Sequence, residues 1–105
     1  MRIMVMFDLP TGSKAERKSY AEFRRFLISD GYTMEQFSVY SRVTLGRDSV
    51  DVHMGRLKKH LPAAGRVTVF CMTEKQYEDR EVLVCTSGSR TKQSLDIGSQ
   101  LTIVF

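Results

Sequence analysis

The sequence opens with an apolar run that ends in a single carboxylate. Residues Ile3–Phe7 are all apolar, Asp8 follows, and Leu9-Pro10 closes the segment. An unbroken apolar run of this length, closed by a turn signal, is typical of a strand buried on both faces of a sheet. Pro10 cannot donate to a sheet ladder and restricts the preceding residue to extended geometry, so the strand should end here. The sequence therefore predicts Asp8 at the carboxyl end of a central strand.

Asp8 has two interpretations at this position. A carboxylate next to a buried strand is stable only with water, a cation or a hydrogen-bond donor nearby. In one interpretation Asp8 shapes the turn into the next element. In the other it holds a cation, and the choice between them depends on the rest of the chain.

Apolar periodicity predicts two amphipathic helices. Ser13 and Glu16 have the spacing of a capping box, which predicts a helix over residues 14–29 that ends at Asp30-Gly31. A second apolar stripe predicts a helix over residues 49–61. The stripes are core-facing surfaces, because apolar residues recur at intervals of three and four along both segments.

Four strands are predicted: the unbroken opening run gives 2–8, alternating apolar and polar residues give 34–42 and 66–72, and a short apolar segment gives 81–85. Together with the two helices, they favour an α+β fold, a ferredoxin-like βαββαβ sandwich with both helices on one face of the sheet. The order of these elements departs from that pattern by one strand boundary. One place for the missing hairpin edge is the segment 34–46, in which residues 42–45 continue the extended run.

The end of the chain is predicted to lie outside this domain. Residues 1–85 form the ferredoxin-like domain, residues 86–96 are a polar linker, and residues 97–105 are an extra C-terminal strand. A four-stranded sheet has no position for this apolar, β-prone tail. We expect it to contact the second copy of a homodimer or another partner through three apolar side chains, Leu101, Ile103 and Phe105.

Positive charge is concentrated in two segments. The net charge is only +4, but residues 13–30 carry five basic and three acidic side chains, and residues 42–66 carry six basic and two acidic ones. Such clustering indicates a surface that faces a polyanion. The alternative is a solvated helix surface that is rich in lysine and arginine.

Targeting features point to the cytoplasm. No apolar run approaches the roughly 20 residues of a membrane helix. The first residues lack the basic region, long apolar stretch and small-residue cleavage site of a signal peptide. We therefore expect a cytoplasmic protein with no membrane partner.

Five blocks of the chain, in this order, resemble the CRISPR-associated protein 2 family: MRIMVMFDLP (1–10), RKSYAEFRRFLISDGY (17–32), QFSVYSR (36–42), LKKHLPAAGRV (57–67) and MTEKQY (72–77). This family is the small partner of the CRISPR integrase in spacer acquisition. The chain is most similar to the branch found with Cas9-type systems. The resemblance extends over residues 1 to about 84, and residues 85–105 match much less well.

The resemblance implies a fold, a function and partners. Family members are ferredoxin-like homodimers, and two integrase dimers flank one such dimer to hold a short double-stranded DNA prespacer. The resemblance thus predicts a DNA-binding scaffold of the adaptation complex, with the Cas9-type effector as a further partner. Some members are described as metal-dependent nucleases whose metal ligand is the aspartate ending the first strand, which is Asp8 here. The alternative function is therefore a Mg²⁺-dependent endonuclease, acting on DNA or RNA, in which paired Asp8 carboxylates share the cation and provide the catalytic site.

For the scaffold, five basic residues on the first helix and at the exit of the following strand are predicted to contact phosphates: Lys14, Arg17, Lys18, Arg42 and Arg47. Phosphate contacts fix position and carry little sequence information.

Overall fold

The opening apolar run forms the central strand of a four-stranded antiparallel sheet. The structure, a computed structural model, describes residues 1–86. Its elements in chain order are β1 (Arg2–Asp8), α1 (Lys14–Ser29), β2 (Thr33–Gln36), β3 (Val39–Val43), α2 (Arg47–Lys58), β4 (Arg66–Met72) and α3 (Glu74–Glu78). The sheet order is β2-β3-β1-β4. The predicted α+β class and the βαββαβ order are confirmed, as are the predicted strands at 2–8 and 66–72 and the helix at 14–29.

The core lies between one face of the sheet and the two long helices. Alternate residues of β1, namely Ile3, Val5 and Phe7, are buried in one cluster with side chains of α1, β3 and α2. The Phe7 ring meets the Phe23 ring of α1 edge to face, with centroids 5.2 Å apart. Burial of a side chain of this size contributes roughly 1.5–3 kcal/mol relative to exposure. Among residues 1–86, no helix is both long and apolar enough to cross a membrane.

The opposite face of the sheet, here called the open face, is only partly covered. On β1 this face carries Met4, which is buried, and then Met6 and Asp8, which are exposed. Phe70 of β4 and Val43 of β3 are also exposed on it. The expectation that the first strand is buried on both faces therefore holds only for its first half.

The predicted single strand over 34–42 is wrong, because it is a hairpin of two strands. The chain turns at Phe37-Ser38, where Ser38 adopts the left-handed conformation with φ 64°. Glycine and asparagine are the usual residues at such a turn, so the alternating pattern continues through it without a signal. The missing hairpin edge is β2, so the expectation that the segment 34–46 holds it is confirmed, apart from Thr33 at the start of β2.

The second helix is shifted towards the N-terminus relative to the predicted 49–61. Helix α2 spans Arg47–Lys58, with Gly46 at its N-terminal cap position. Leu61 continues the apolar spacing of the helix but lies in the following loop and is 49% exposed. The periodicity therefore overestimated the length of the helix at this end.

The predicted strand at 81–85 is also wrong. Residues 81–86 belong to no strand, and Val82, Leu83 and Val84 are 60–78% exposed. The chain leaves β4 through α3, whose capping box joins Thr73 and Gln76. An apolar segment becomes a strand only beside a neighbouring strand, and residues 81–86 pair with no strand of the described chain. Nearly all of the predicted linker (86–96), together with the terminal strand (97–105) and its residues Leu101, Ile103 and Phe105, lies outside the described residues.

Helix α3 is held on the sheet by an aromatic ring between charged groups. The Arg2 guanidinium donates two hydrogen bonds to the Glu74 carboxylate, at 2.9 and 3.0 Å. The guanidinium groups of Arg2 and Arg80 both lie over the Tyr77 ring, 3.7 and 3.8 Å from its centroid. The Tyr77 hydroxyl donates to the Glu35 carboxylate of β2 at 2.8 Å. We call these five residues the Tyr77 clamp.

Glu35 is the acid at the centre of this clamp. Burial alone would raise the pKa of its carboxyl group. Hydrogen bonds from Ser41 and Tyr77, with the charges of Arg80 and Arg2, outweigh burial and hold the pKa of Glu35 below its usual value. The ionised form is therefore favoured in the folded state.

We predict that Glu35→Gln destabilises the fold in a pH-dependent way. The folded pKa of Glu35 is lowered, so its contribution is fully present above the unfolded pKa near 4.5 and is lost as pH falls through the folded value. At pH 7 the variant should lose about 1–3 kcal/mol, the range for a hydrogen bond to a charged group. Urea unfolding at several pH values measures this difference, with Glu78→Gln, an exposed acid of α3, as the control. A difference between variant and wild type that is equal above and below the unfolded pKa would contradict this account.

Candidate nucleic-acid interface and the environment of Asp8

The N-terminus of α1 is fixed by a complete capping box. The Ser13 hydroxyl accepts from the Glu16 backbone N–H at 3.1 Å. The Glu16 carboxylate in return accepts from the backbone N–H groups of Ser13 and Gly12, each at 3.0 Å. A cap of this kind stabilises a helix by about 1 kcal/mol. It fixes Lys14 as the first helical residue and so fixes which side chains point away from the core.

The exposed side of α1 carries a row of cations. Four of them, which we call the α1 basic stripe, recur at helical spacing and are all exposed: Lys14, Arg17, Lys18 and Arg25. Residues three and four apart on a helix are neighbours on one face. From Lys14 to Arg25 the stripe is about 16 Å long at 1.5 Å per residue. Within residues 1–86 none of the four makes an ion pair, and Arg17 donates to the Thr11 carbonyl at 3.3 Å. The structure thus brings three of the five predicted phosphate-contacting residues onto one surface.

Arg25 was not among the residues predicted from the sequence to contact phosphates, although its spacing places it with them. Arg25 lies seven residues after Lys18, which is two helical turns along the same face. Its neighbour Arg24 is different, because its guanidinium donates to the Tyr40 hydroxyl at 2.8 Å. Arg24 therefore supports the fold at the junction of α1 and β3.

Arg42 lies apart from the stripe and is occupied within the protein. It is half-buried in β3, on the helix-facing side of the sheet. Its guanidinium donates to the Asp30 carbonyl at the end of α1 and to the Val43 carbonyl at 3.2 Å. A Cβ atom at Gly31, whose φ is +93°, would lie only 2.8 Å from Nη1 of Arg42. The structure thus gives Arg42 a role in capping α1, and its phosphate contact stays a prediction.

Arg47 also lies apart, at the start of α2. Asp30, at the end of α1, contacts His53 and Arg56 of α2. Phe26, one turn earlier in α1, stacks on His60, which follows α2. The two helices are therefore antiparallel, and exposed Arg47 lies beyond the C-terminal end of α1, away from Lys14.

Asp8 is exposed at the carboxyl end of the central strand, on the open face. In the antiparallel register its direct neighbour on β4 is Arg66. Opposed residues of this kind have Cβ atoms roughly 4.5–5.5 Å apart. Within residues 1–86, however, no hydrogen bond or ion pair to the Asp8 carboxylate is found. Arg66, one of the six basic residues of segment 42–66, is thus the charged group nearest to Asp8 in the sheet.

The backbone around Asp8 is tightly packed. Gly65, with φ +98°, comes so close that an added Cβ would lie 2.6 Å from the Asp8 carbonyl oxygen and 2.7 Å from Cδ2 of Leu9. A side chain cannot be accommodated there without a shift of the backbone. Gly65 therefore allows β4 to begin directly beside the end of β1.

One chain does not provide a magnesium site. Among residues 1–86 there is no group of three or more histidine, cysteine, aspartate or glutamate side chains that could hold a metal ion. Mg²⁺ requires near-octahedral oxygen coordination, usually with one or two carboxylates and several waters or phosphate oxygens. Asp8 supplies one carboxylate, with a cationic side chain beside it. The donor set of a single chain therefore does not fit the metal.

A family model for CRISPR associated protein Cas2 matches residues 1–80. The chain belongs to the Cas2 family. Among curated relatives, a protein of Acidovorax ebreus named CRISPR-associated endoribonuclease Cas2 is 52% identical over 80% of this chain and 82% of its own length. Proteins with the same name from Streptococcus mutans and Treponema denticola are 40% and 35% identical, and they cover 86% and 99% of this chain and 89% and 100% of their own lengths.

A solved structure agrees with the fold. Cas2 of Streptococcus pyogenes at pH 6.5 superposes with a TM-score of 0.61, covering 80% of this chain and 100% of that chain. Its sequence identity to this chain is 20%, so the agreement concerns the fold alone. The family resemblance read from the sequence blocks is thus confirmed, and so is the Cas2-like α+β fold.

We predict that Arg42→Gln lowers stability more than it lowers nucleic-acid binding. The shorter neutral side chain loses the donors that cap the end of α1, which should cost about 1–2 kcal/mol. Thermal unfolding measures this loss, and the salt dependence of duplex affinity shows whether a phosphate contact is lost as well. Lys58→Gln is the control, because it removes the same charge from an exposed position outside the predicted phosphate contacts. Unchanged stability with a reduced salt slope would instead assign Arg42 to DNA.

Proposed function

We propose that this Cas2-family protein is a dimeric DNA-binding scaffold of the CRISPR adaptation complex. In this role it bridges two integrase dimers in the cytoplasm and holds the prespacer duplex between them. Family membership supports the adaptation context. The single observation that carries the DNA-binding part is the α1 basic stripe.

The α1 basic stripe has the properties of a phosphate-binding surface. Its four cations are exposed and free of ion pairs within residues 1–86, so binding an anion breaks no ion pair in the described part of the protein. Its length of about 16 Å matches several phosphate spacings along a duplex strand. Lysine and arginine on a rigid helix read no base edges, which suits a scaffold that accepts prespacers of any sequence.

The proposed dimer is supported by the apolar surface that one chain leaves uncovered. Met6 and Phe70 are 41% and 42% exposed on the open face. Beyond α3, Val82, Leu83 and Val84 are exposed as well, and β4 is an edge strand of the sheet. A second copy of this chain covers the open face and the β4 edge when residues 82–84 of one protomer pair with the β4 edge of the other.

The remaining partners belong to the same proposal. The integrase and the Cas9-type effector are expected to contact the dimer outside the α1 basic stripe, which is occupied by DNA. Leu101, Ile103 and Phe105 remain the proposed contact residues of the tail.

The second candidate is a Mg²⁺-dependent endonuclease. The curated relatives carry the name endoribonuclease, and Asp8 is exposed on the open face of the sheet. If two copies meet through their open faces, two Asp8 carboxylates approach the two-fold axis and supply twice the donors of one chain. Arg66, beside each Asp8, would then offer a positive group to a phosphate.

We predict that Arg17→Gln combined with Lys18→Gln weakens duplex binding without sequence preference. Each lost phosphate contact should lower the slope of log affinity against log salt by about one, so the double variant should lose about two. Fluorescence anisotropy with short duplexes of different sequence, over a range of salt concentrations, measures this slope.

The matched control is Lys58→Gln combined with Lys75→Gln, which removes the same charge from exposed positions on α2 and α3. Equal effects of the two double variants would mean that only net charge matters, and the α1 basic stripe would not be the interface.

We predict that Asp8→Asn separates the two candidate functions. The variant keeps the shape of the side chain and removes its charge, and a neutral amide holds a hard divalent cation poorly. Spacer integration by the complex with integrase should continue, while any Mg²⁺-dependent cleavage of RNA or duplex DNA should be lost. Both assays are run on wild type and variant, with and without a chelator.

Asp48→Asn, an exposed acid in the first turn of α2, is the control for loss of one negative charge. If integration stops in Asp8→Asn while the dimer and the integrase complex still form, the carboxylate is essential to the reaction and the scaffold proposal is wrong.

A further inference from the structure

A cleft of about 340 Å³ lies where α1 passes the loop after α2. Its size is within the range of roughly 300–1,000 Å³ that is usual for small-molecule sites. The scaffold function proposed above does not use this cleft, and none of its polar lining residues is among the predicted phosphate contacts. Its walls combine an aromatic stack with two polar side chains.

The aromatic wall is rigid although it is exposed. The His60 ring stacks on Phe26 with centroids 4.0 Å apart and an interplanar angle of 9°. Nδ1 of His60 lies 2.9 Å from the Arg56 carbonyl oxygen, and because a carbonyl can only accept, Nδ1 carries the proton. Within residues 1–86 no partner is found for Nε2. One stack and one hydrogen bond thus fix the orientation of the exposed His60 ring.

The polar wall consists of two side chains of α1 without partners. Ser19 and Glu22, one turn apart, both line the cleft. No hydrogen bond or ion pair to either side chain is found in the part of the chain that the structure describes. Glu22 thus presents two carboxylate oxygens that can accept a pair of parallel N–H donors.

The charges around the cleft indicate the kind of ligand. Lys18 lies one turn before Glu22 and Arg25 one turn after it, and neither pairs with it. Both belong to the α1 basic stripe, at the edge nearest the cleft. Lys59 directly precedes His60. A negatively charged chain bound along the stripe therefore passes a cleft that has an aromatic face and one carboxylate.

We propose that this cleft binds one unpaired guanine base of a nucleic-acid strand held on the α1 basic stripe. The base stacks on His60, as bases stack on aromatic side chains in single-strand recognition. The Glu22 carboxylate accepts the N1–H and N2–H donors of guanine, the base whose Watson–Crick edge offers two adjacent donors of this kind. The inference rests on the proposed function for its phosphate contacts, and it adds a base-specific site to a surface that otherwise reads no sequence.

The test uses a labelled duplex whose thymidine overhang carries one variable position. That position is guanine, hypoxanthine, adenine or an abasic site, and affinity is measured by anisotropy at fixed salt. Wild type should bind the guanine form about tenfold more tightly than the abasic form, the effect of stacking one base. An identical series with a uridine overhang distinguishes RNA from DNA as the source of the base.

Two variants separate the parts of the site. His60→Ala should reduce the affinity for the guanine form to that for the abasic form, and His60→Phe should restore most of it because a ring remains on Phe26. Glu22→Gln should abolish the preference for guanine over hypoxanthine, which lacks the N2 donor, while stacking is retained. Lys58→Gln is the control for a surface change outside the cleft.

Blunt duplex, measured in the same series, keeps this test separate from that of the scaffold. If blunt duplex binds normally but guanine and abasic forms bind equally, the cleft is not a base site and the inference is wrong. Loss of integrase binding in His60→Ala, with no base preference in wild type, would also overturn it and assign the cleft to a protein. If blunt duplex does not bind at all, the α1 basic stripe is not a duplex-binding surface and the proposed function is wrong. A guanine preference of the overhang would in that case support the cleft alone.

Discussion

The structure depends on the burial of one face of β1 beneath two helices. Ile3, Val5 and Phe7 supply the apolar surface on which α1 and α2 pack, and β1 also pairs with β3 and β4 on its two sides. The same alternation places Met6 and Asp8 on the opposite face, where the chain leaves them exposed. A single strand thus organises both the core and the position of the one carboxylate to which the nuclease hypothesis refers.

Much of this could be predicted from local sequence signals, because the signals and the tertiary contacts agree. The unbroken run before Pro10 indicated β1, and the Ser13–Glu16 capping box indicated the start of α1 to the residue. A hairpin edge was expected within residues 34–46, but its turn at Phe37-Ser38 was not located, because a serine adopts a conformation that glycine or asparagine usually signals. The strand expected at 81–85 was wrong because strand propensity does not provide a neighbouring strand, and no strand of the described chain pairs with this segment.

For the candidate site, the sequence indicated the charges but not their use. Lys14, Arg17 and Lys18 share one face of α1, as helical periodicity requires, and Arg25 extends that face. In the sequence, Arg42 cannot be distinguished from the other arginines predicted to contact phosphates, yet its guanidinium caps the end of α1. No periodicity distinguishes an arginine that points to solvent from one that meets a carbonyl 12 residues earlier in the chain. The proximity of Arg66 to Asp8 likewise depends on strand register, which only the folded sheet defines.

The central position of β1 has a consequence for the time course of folding. Its partners are distant in sequence, since Arg2 pairs with Val43 on one side and with Met72 on the other. Because β1 is synthesised before both of its partners, it cannot complete its hydrogen bonds until almost the whole described domain has been made. Long-range pairings of this kind slow folding, because loop-closure entropy must be overcome before the contacts form. During synthesis, α1 and the β2–β3 hairpin can form from local contacts. The apolar segment that forms β1 stays unpaired along one edge until β4 has been synthesised.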